Sequence, residues 1–274
     1  MAPFLAILVA IVAGFPLGIV YAYLIKWIPF IYLNFLVTLG YGFLLGFLTL
    51  QMLKFGKVRN AAVALVTGIV AGVVGLYFSW NGHVHSLAAE IPWLLTPTQI
   101  GRAIEILYQE GSWGIGFGSQ EPLTGIPLAI VWAGEAAIIV GLTALISFRG
   151  IRETPFCETH ECWLDEKKVI DKLDAFTNPA QLEAFRNGDI SPLDEARPRV
   201  PASGVFSRLT LKHSRNCHDY CTLSIANVSV TMDKSGKPKE KVEPLMTHLL
   251  VPKSMFEYLE KFDHATARPQ PAGT

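Results

Sequence analysis

Long apolar runs alternate with short polar segments through the first half of the chain. A helix needs roughly 20 apolar residues to cross the ~30 Å hydrocarbon core of a bilayer. Four runs meet that requirement, at about residues 4–25, 29–53, 61–80 and 126–148. The pattern therefore predicts an α-helical membrane bundle of four transmembrane helices within residues 1–150.

The polar segment 81–125 is too long for a structureless loop, and it contains a helix start signal. In "LTPTQIGRAIEILYQEG", Thr96 is placed as an N-cap and Gln99 as its N3 partner in a capping box. The apolar residues that follow share one helix face. We expect an amphipathic helix on the bundle or at the membrane interface, with Trp93 and Trp113 as headgroup-level anchors.

The pattern changes after residue 150. Apolar residues there recur at the spacings of short helices and strands, which predict a soluble α+β domain over residues 151–262 with a small antiparallel sheet. Helices are predicted at about 164–176, 178–188 and 254–262. Strands are predicted at 205–212, 222–232 and 241–251, with a bulge near Ala226. A proline-rich linker occupies 191–204, and we expect residues 263–274 to be a disordered tail.

The charge distribution supports this division. The chain is 51% hydrophobic and 17% charged, yet only six Lys/Arg and five Asp/Glu fall within residues 1–150, while seventeen and eighteen fall within 151–274. The formal net charge is zero. Without a basic surplus to displace phosphate counterions, we expect no nucleic-acid partner.

Lysine and arginine near the helix ends predict the orientation through the positive-inside rule. The loop "KFGKVRN" (54–60) and the pair Arg149 and Arg152 belong in the cytoplasm, whereas Lys26 and Arg102 lie in sparsely charged outer loops. The prediction is a multi-pass membrane protein with both termini inside. The soluble domain is then cytoplasmic.

Small residues recur at four-residue spacing along each predicted span. Such spacing lets helix backbones approach closely in lipid, and it predicts a tightly packed bundle or a homo-oligomer of bundles. The pairs are Gly14/Gly18, Gly42/Gly46 and Gly68/Gly72, together with the stripe Ala133/Ala137/Gly141.

Four cysteines form two pairs in the soluble half, in "FCETHECW" and "NCHDYC". Zinc prefers four sulfur or nitrogen ligands in a tetrahedron. The predicted ligands are Cys157, Cys162, Cys217 and Cys221, and either His160 or His218 is an alternate for one of them. The spacings Cys-x4-Cys and Cys-x3-Cys differ from the usual CxxC, although Cys157-x2-His160 restores a two-residue gap.

Two other interpretations of the cysteines stay open. In a reducing cytoplasm the thiols could be ordinary free side chains, because a domain of this size can bury a core without metal. They could also form a redox pair or disulfides, although neither pair is the CxxC motif of thiol oxidoreductases. A zinc site is therefore one of three interpretations of the cysteines, and zinc is the candidate cofactor in that interpretation.

One carboxylate, Glu135, falls in the middle of the fourth predicted span, in "VWAGEAAIIV". A charge at that depth is expensive, so an intramembrane carboxyl group suggests function. Glu135 is expected either to hydrogen-bond Asn34, Thr38 or Tyr41 of the second span or to act as a proton or cation site.

Two histidines, His83 and His85, follow the third predicted span in "NGHVHS". On an extended loop an HxH pair can bind a metal ion, although exposed histidines usually do not. The chain has no GxSxG, HExxH, P-loop or kinase signature, so no catalytic residue is assigned.

Three short stretches, "EGSWGIG", "VWAGEA" and "FCETHECW", resemble a family of uncharacterised bacterial four-helix inner-membrane proteins. The resemblance covers roughly residues 95–165. It implies a cytoplasmic domain with cysteine pairs of the CxxC type, from which the first pair here departs. No activity comes with the family.

The function that these observations favour is a membrane-anchored interaction or regulatory module, with a zinc-stabilised cytoplasmic domain that binds a protein partner. A small transporter or channel component that uses Glu135 is the first alternative. A membrane thiol oxidoreductase is the second.

Overall fold

A computed structural model describes residues 2–28, 30–88, 90–111, 122–189, 191–195, 204–233 and 235–266. The chain divides into two compact units, Met1–Glu153 and Thr154–Thr274. Three predicted features lie outside the described residues: Trp113 with most of "EGSWGIG", the linker residues 196–203, and the tail from 267 onward.

Four long helices of the first unit coincide with the predicted spans. They are α1 (Ala2–Trp27), α2 (Ile31–Phe55), α3 (Ala61–Leu87) and α5 (Gly125–Arg152). All four are long and apolar enough to cross a membrane. The prediction of a membrane protein with four apolar helices is confirmed, and contact with a lipid bilayer follows from it.

Glycines bring the long helices into backbone contact. A Cβ atom built on Gly18 would lie 2.8 Å from the Phe78 carbonyl carbon of α3, and one built on Gly72 would lie 2.8 Å from the Cα of Val140 in α5. By contrast, a Cβ on Gly141 meets no described atom within 4 Å. The GxxxG pairs therefore lie at helix contacts within the bundle. By contrast, Ala133 and Ala137 of the small-residue stripe on α5 are exposed.

The predicted amphipathic helix is α4 (Pro97–Glu110). Thr96 and Gln99 make both hydrogen bonds of the capping box, and Gly111 follows the helix with a positive φ of 83°. The buried side chain of Ile100 packs with Val84 of α3 and with Leu95. Of the two predicted placements, on the bundle or at the membrane interface, this contact corresponds to the first.

The second unit contains a two-stranded hairpin and a four-stranded antiparallel sheet in the order β3-β4-β5-β6. The hairpin is β1 (Phe156–Cys157) and β2 (Cys162–Trp163). The sheet strands are β3 (Glu166–Leu173), β4 (Val205–His213), β5 (Tyr220–Met232) and β6 (Pro238–Pro252). Three short helices complete the unit: α6 (Pro179–Arg186), α7 (Ser191–Glu195) and α8 (Lys253–Thr266). The predicted α+β class with a small antiparallel sheet is confirmed.

The predicted helix at 164–176 is wrong, because that segment forms strand β3. Ile170 pairs with Leu209 and Leu173 pairs with Ser207, so two residues of β3 between these pairs oppose one residue of β4. This bulge turns both apolar side chains toward the core at a three-residue spacing that imitates a helix. The prediction of a linker from 191 is also wrong at its start, where α7 buries Leu193 completely. Residues 263–266 of the predicted disordered tail belong to helix α8, so the prediction differs from the structure there.

One face of the sheet is covered by the short helices. Phe185 of α6, Leu193 of α7 and Leu259 of α8 join fully buried strand residues such as Leu209 and Leu223 in one apolar cluster. Such a cluster gives the second unit a hydrophobic core of its own.

A buried polar network holds the segment after β3 against the sheet. The Phe176 N–H donates to the Ser207 hydroxyl oxygen at 2.9 Å, and this hydroxyl donates to Asn227 Oδ1 at 2.6 Å. The Asn227 amide in turn donates to the Phe176 carbonyl at 3.1 Å.

Candidate functional site

The hairpin of the second unit places Cys157 and His160 at one point. Cys157 and Cys162 face each other across β1 and β2. Between them the chain turns through Glu161, which has a positive φ of 49°. The His160 N–H donates to the Cys157 sulfur at 3.4 Å, and His160 Nδ1 lies 3.5 Å from the same sulfur.

The connection from β4 to β5 brings a second cysteine to this point. A turn in which the Cys217 N–H donates to the Ser214 carbonyl at 3.3 Å precedes β5. The Cys217 sulfur lies 3.1 Å from the Cys157 sulfur. Sixty residues separate these two cysteines in the chain, so the fold of the unit brings them together.

Three donor atoms therefore converge, one each from Cys157, His160 and Cys217, and all lie within 4.8 Å of one another. A tetrahedral zinc ion would place two sulfurs about 3.8 Å apart and a sulfur and a nitrogen about 3.6 Å apart. The observed sulfur–nitrogen separation of 3.5 Å matches that geometry. The two sulfurs need to move apart by about 0.7 Å.

The turns that begin at Cys157 and Cys217 have the same two-residue gap but end in different residues. The first is Cys157-x2-His160 and the second is Cys217-x2-Tyr220. The Tyr220 hydroxyl hydrogen-bonds the Cys157 thiol. The arrangement thus resembles two metal-binding knuckles of the CxxC type, in which histidine and tyrosine occupy the second cysteine positions.

Electrostatics single out Cys157 among the thiols. Burial raises the pKa of Cys157, but hydrogen bonds from Tyr220, Cys217 and His160 outweigh burial and lower the pKa to about 7. The hydrogen bond to Cys157 raises the pKa of Tyr220 to about 12. Cys157 is the thiol that these hydrogen bonds prepare for deprotonation, which metal ligation requires.

The other predicted ligands lie at different distances from this site. Cys162 packs against the cluster of Cys157, Leu164 and Cys217, but it is outside the group of three converging donors. The His218 ring centroid lies 5.9 Å from that of His160. Cys221 belongs to the main apolar core, where burial raises the pKa of its thiol to about 11. Because side chains alternate along β5, Tyr220 faces the cysteines and Cys221 faces the core.

A second group of polar side chains lies inside the helical unit. Tyr21 and Glu135 line the same cavity, and the Tyr21 hydroxyl lies 3.1 Å from Thr38 Oγ1. The Thr38 hydroxyl donates to the Asn34 carbonyl at 2.9 Å. Tyr41 instead donates to a carbonyl of α3 at 2.8 Å. Tyr21 is a neighbour of Glu135 that the sequence analysis missed, since only helix packing brings α1 and α5 together.

The two histidines near the end of α3 lie on the helix and not on an extended loop, because α3 continues to Leu87. His85 Nδ1 lies 2.7 Å from the Ile91 carbonyl, and its ring makes a tilted contact with Trp93. His83 instead lines a cavity together with Glu135. The two side chains therefore lie in different surroundings.

Comparison with protein-family models, curated proteins and solved structures finds no match to this chain. The resemblance of the three short motifs therefore stays a prediction.

Proposed function

We propose that this chain is a multi-pass protein of the bacterial inner membrane whose cytoplasmic unit binds one zinc ion and acts as an interaction or regulatory module. The convergence of Cys157, His160 and Cys217 carries the proposal. Two thiols and an imidazole form a donor set that zinc prefers.

Cys162 supplies the fourth ligand in this proposal. Residues that face each other across an antiparallel pair project from the same side of the hairpin, so Cys162 lies beside Cys157. Cys162 also packs against the small cluster that Cys157, Leu164 and Cys217 form. A site with four protein ligands has no open position for water, which is the arrangement of a structural zinc ion.

Zinc at this site would join two segments of the second unit that are far apart in the chain. Three ligands come from the short hairpin, and Cys217 comes from the connection between β4 and β5. Because metal binding is coupled to folding, the ion would hold the hairpin against the sheet.

Topology supports zinc over a disulfide. The positive-inside rule places the second unit in the cytoplasm, where thiols stay reduced. The four cysteines are free in this structure, and Cys157, Cys217 and Cys221 are buried.

The proposed protein partner would bind the sheet. Among the residues that the structure describes, strand β6 forms an edge of the four-stranded sheet and pairs only with β5. Val242 and Leu250 on this strand are 50% and 61% exposed. An edge strand with exposed apolar side chains is a common site for a partner strand. A homo-oligomer would form through the exposed Ala133, Ala137 and Gly141 face of α5.

Cobalt substitution tests the ligand set. The full chain in detergent, loaded with Co²⁺, is expected to show the visible absorption of a tetrahedral site and the ultraviolet sulfur-to-cobalt charge-transfer band. Cys157→Ala should abolish both signals, and Cys162→Ala should reduce the charge-transfer band by about one third, since one of three thiolates is lost. Cys221→Ala is the matched control and should leave both signals unchanged.

An octahedral cobalt spectrum without a charge-transfer band would contradict the proposal. An unchanged spectrum in Cys162→Ala would show that Cys162 is not the fourth ligand, and the assignment of the other three ligands would stand.

The second candidate function is thiol oxidoreduction, and the 3.1 Å separation of the Cys157 and Cys217 sulfurs favours it. In that case the two thiols would form a disulfide, releasing two protons and giving two electrons to a disulfide of a partner protein. Mass spectrometry of the protein under mild oxidation would then show the loss of two hydrogens, with Cys157 and Cys217 cross-linked. A zinc-bound site should resist this oxidation until a chelator is added.

A further inference from the structure

A small polar cavity lies among α1, α3 and α5, in the part of the bundle where α1 and α3 end and α5 begins. Its polar lining consists of Tyr21, Ser79, His83 and Glu135, and the indole rings of Trp80 and Trp132 form part of the wall. The space has a volume of about 30 Å³. That volume holds about one or two water molecules.

His83 directs an unsatisfied nitrogen into this part of the bundle. Its Nε2 atom is inaccessible to solvent and has no hydrogen-bond partner among the described residues. The ring is held by an edge contact with Trp80 at a centroid distance of 5.8 Å. A buried polar atom without a partner is costly, so a water molecule in the cavity would remove that cost.

Glu135 faces the same cavity, and on its other side it lines a recess of about 220 Å³ between α2 and α5. Asn34, which is 8% exposed, also lines this recess and leaves its side-chain oxygen without a partner among the described residues. Unpaired polar atoms therefore lie on both sides of Glu135. A protonated carboxyl group can donate a hydrogen bond to an acceptor, whereas a carboxylate cannot.

We propose that Glu135 and His83 form a proton-binding pair bridged by a water molecule in this cavity. The proton resides on the Glu135 carboxyl group, which donates to the water, and the water donates to His83 Nε2. When the proton transfers, Glu135 releases it to the water and the water passes one of its own protons to Nε2. One proton moves, and nothing is oxidised or reduced.

The neighbouring helices carry other charged and titratable groups. From α1, Tyr21 lines the same cavity and the Lys26 ammonium group donates to the Ser86 carbonyl. From α2, Tyr41 donates to a carbonyl of α3. The charged residues Arg102 and Glu105 of α4 are exposed.

Carbodiimide labelling tests the pair. Dicyclohexylcarbodiimide is an apolar reagent that adds to protonated carboxyl groups and leaves a stable N-acylurea containing the whole reagent. The full chain in lipid nanodiscs would be labelled over a pH series, and adducts would be located by mass spectrometry. We expect labelling at Glu135 that decreases as the pH rises, and none in Glu135→Gln.

His83→Phe removes the acceptor nitrogen but keeps a ring of similar shape. Loss of the bridged hydrogen bond should move the labelling midpoint to lower pH by about one unit, which is about a tenfold lower rate at a fixed pH above the midpoint. His83→Gln keeps a side-chain acceptor and should restore most of the labelling. His85→Phe is the matched control, because His85 has other partners.

Two results would overturn the proposal: Glu135 unlabelled at every pH, or a His83→Phe profile that superimposes on the wild-type profile. Selective ¹⁵N-histidine NMR decides the question if His83→Phe does not fold. In the wild type, the His83 Nε2 signal should be that of an unprotonated nitrogen accepting a hydrogen bond, and it should shift in Glu135→Gln. A signal unaffected by Glu135→Gln would exclude the pair.

Discussion

Replacing Gly72 by alanine should loosen the contact between α3 and α5. The new methyl group would lie 2.8 Å from the Cα of Val140, an atom of the helix backbone that cannot rotate away. Carbon atoms pack best at about 3.5–4.0 Å, so the two helices would have to separate locally by about 1 Å. Overpacking of this kind costs about 1–3 kcal/mol.

Alanine also favours the helix by up to about 1 kcal/mol relative to glycine, and this gain has to be subtracted. Gly141→Ala measures the gain separately, because a Cβ at Gly141 meets no described atom within 4 Å. We therefore expect Gly72→Ala to be less stable than Gly141→Ala by about 1–3 kcal/mol. The assay is reversible unfolding of the detergent-solubilised chain by sodium dodecyl sulfate, followed by circular dichroism. Equal stability of the two variants would refute the packing of α3 against α5 described above.

Three further substitutions probe other parts of the fold by the same unfolding measurement. Tyr41→Phe removes the 2.8 Å hydrogen bond to the Gly75 carbonyl, and we expect a loss of about 0.5–1.5 kcal/mol, whereas removing the hydroxyl of the exposed Tyr32 should change little. Ser207→Ala leaves the buried Phe176 N–H unpaired and should cost about 1–3 kcal/mol. Thr96→Ala removes the N-cap of α4 and should cost about 1 kcal/mol; unchanged stability would show that α4 does not depend on its capping box.

The membrane helices could be predicted because their signal is local. A long apolar run must satisfy its backbone hydrogen bonds within itself when it enters lipid, and only a helix does so. The start of α4 was equally visible, since the Thr96–Gln99 capping box requires only residues three apart. The alternation of apolar and polar residues in 222–232 likewise indicated strand β5.

The strand β3 was hidden because its bulge gives Ile170 and Leu173 a helical spacing. The signal that could have revealed it is the charged run "EKK" (166–168), which suits an exposed edge strand better than the start of a buried helix face. The bulge itself depends on pairing with β4. Sequence periodicity cannot show such pairing.

The types of residue in the candidate site could be predicted, but which individual residues belong to it could not. The spacing Cys157-x2-His160 marks a metal-binding turn, and both residues converge in the structure. Cys217 joins them because of the β4–β5 connection, while Cys221, four residues later, faces the core. Alternation along β5 could have separated Cys221 from the others once the start of the strand was known to be Tyr220.

The polar residues of the bundle depended most on tertiary packing. Glu135 was noticed from its depth in an apolar run, but its neighbours Tyr21 and His83 come from two other helices. The rotation of each helix about its own axis decides which side chains meet. No local pattern contains that information.

Zinc content tests the central claim most directly. The full chain, purified in detergent without a chelator, would be analysed by elemental mass spectrometry together with Cys157→Ala and Cys221→Ala. The account predicts about one zinc ion per chain in the wild type and in Cys221→Ala, and close to none in Cys157→Ala. A wild-type protein that is folded and free of metal, or a Cys157→Ala protein that retains its zinc, would contradict it.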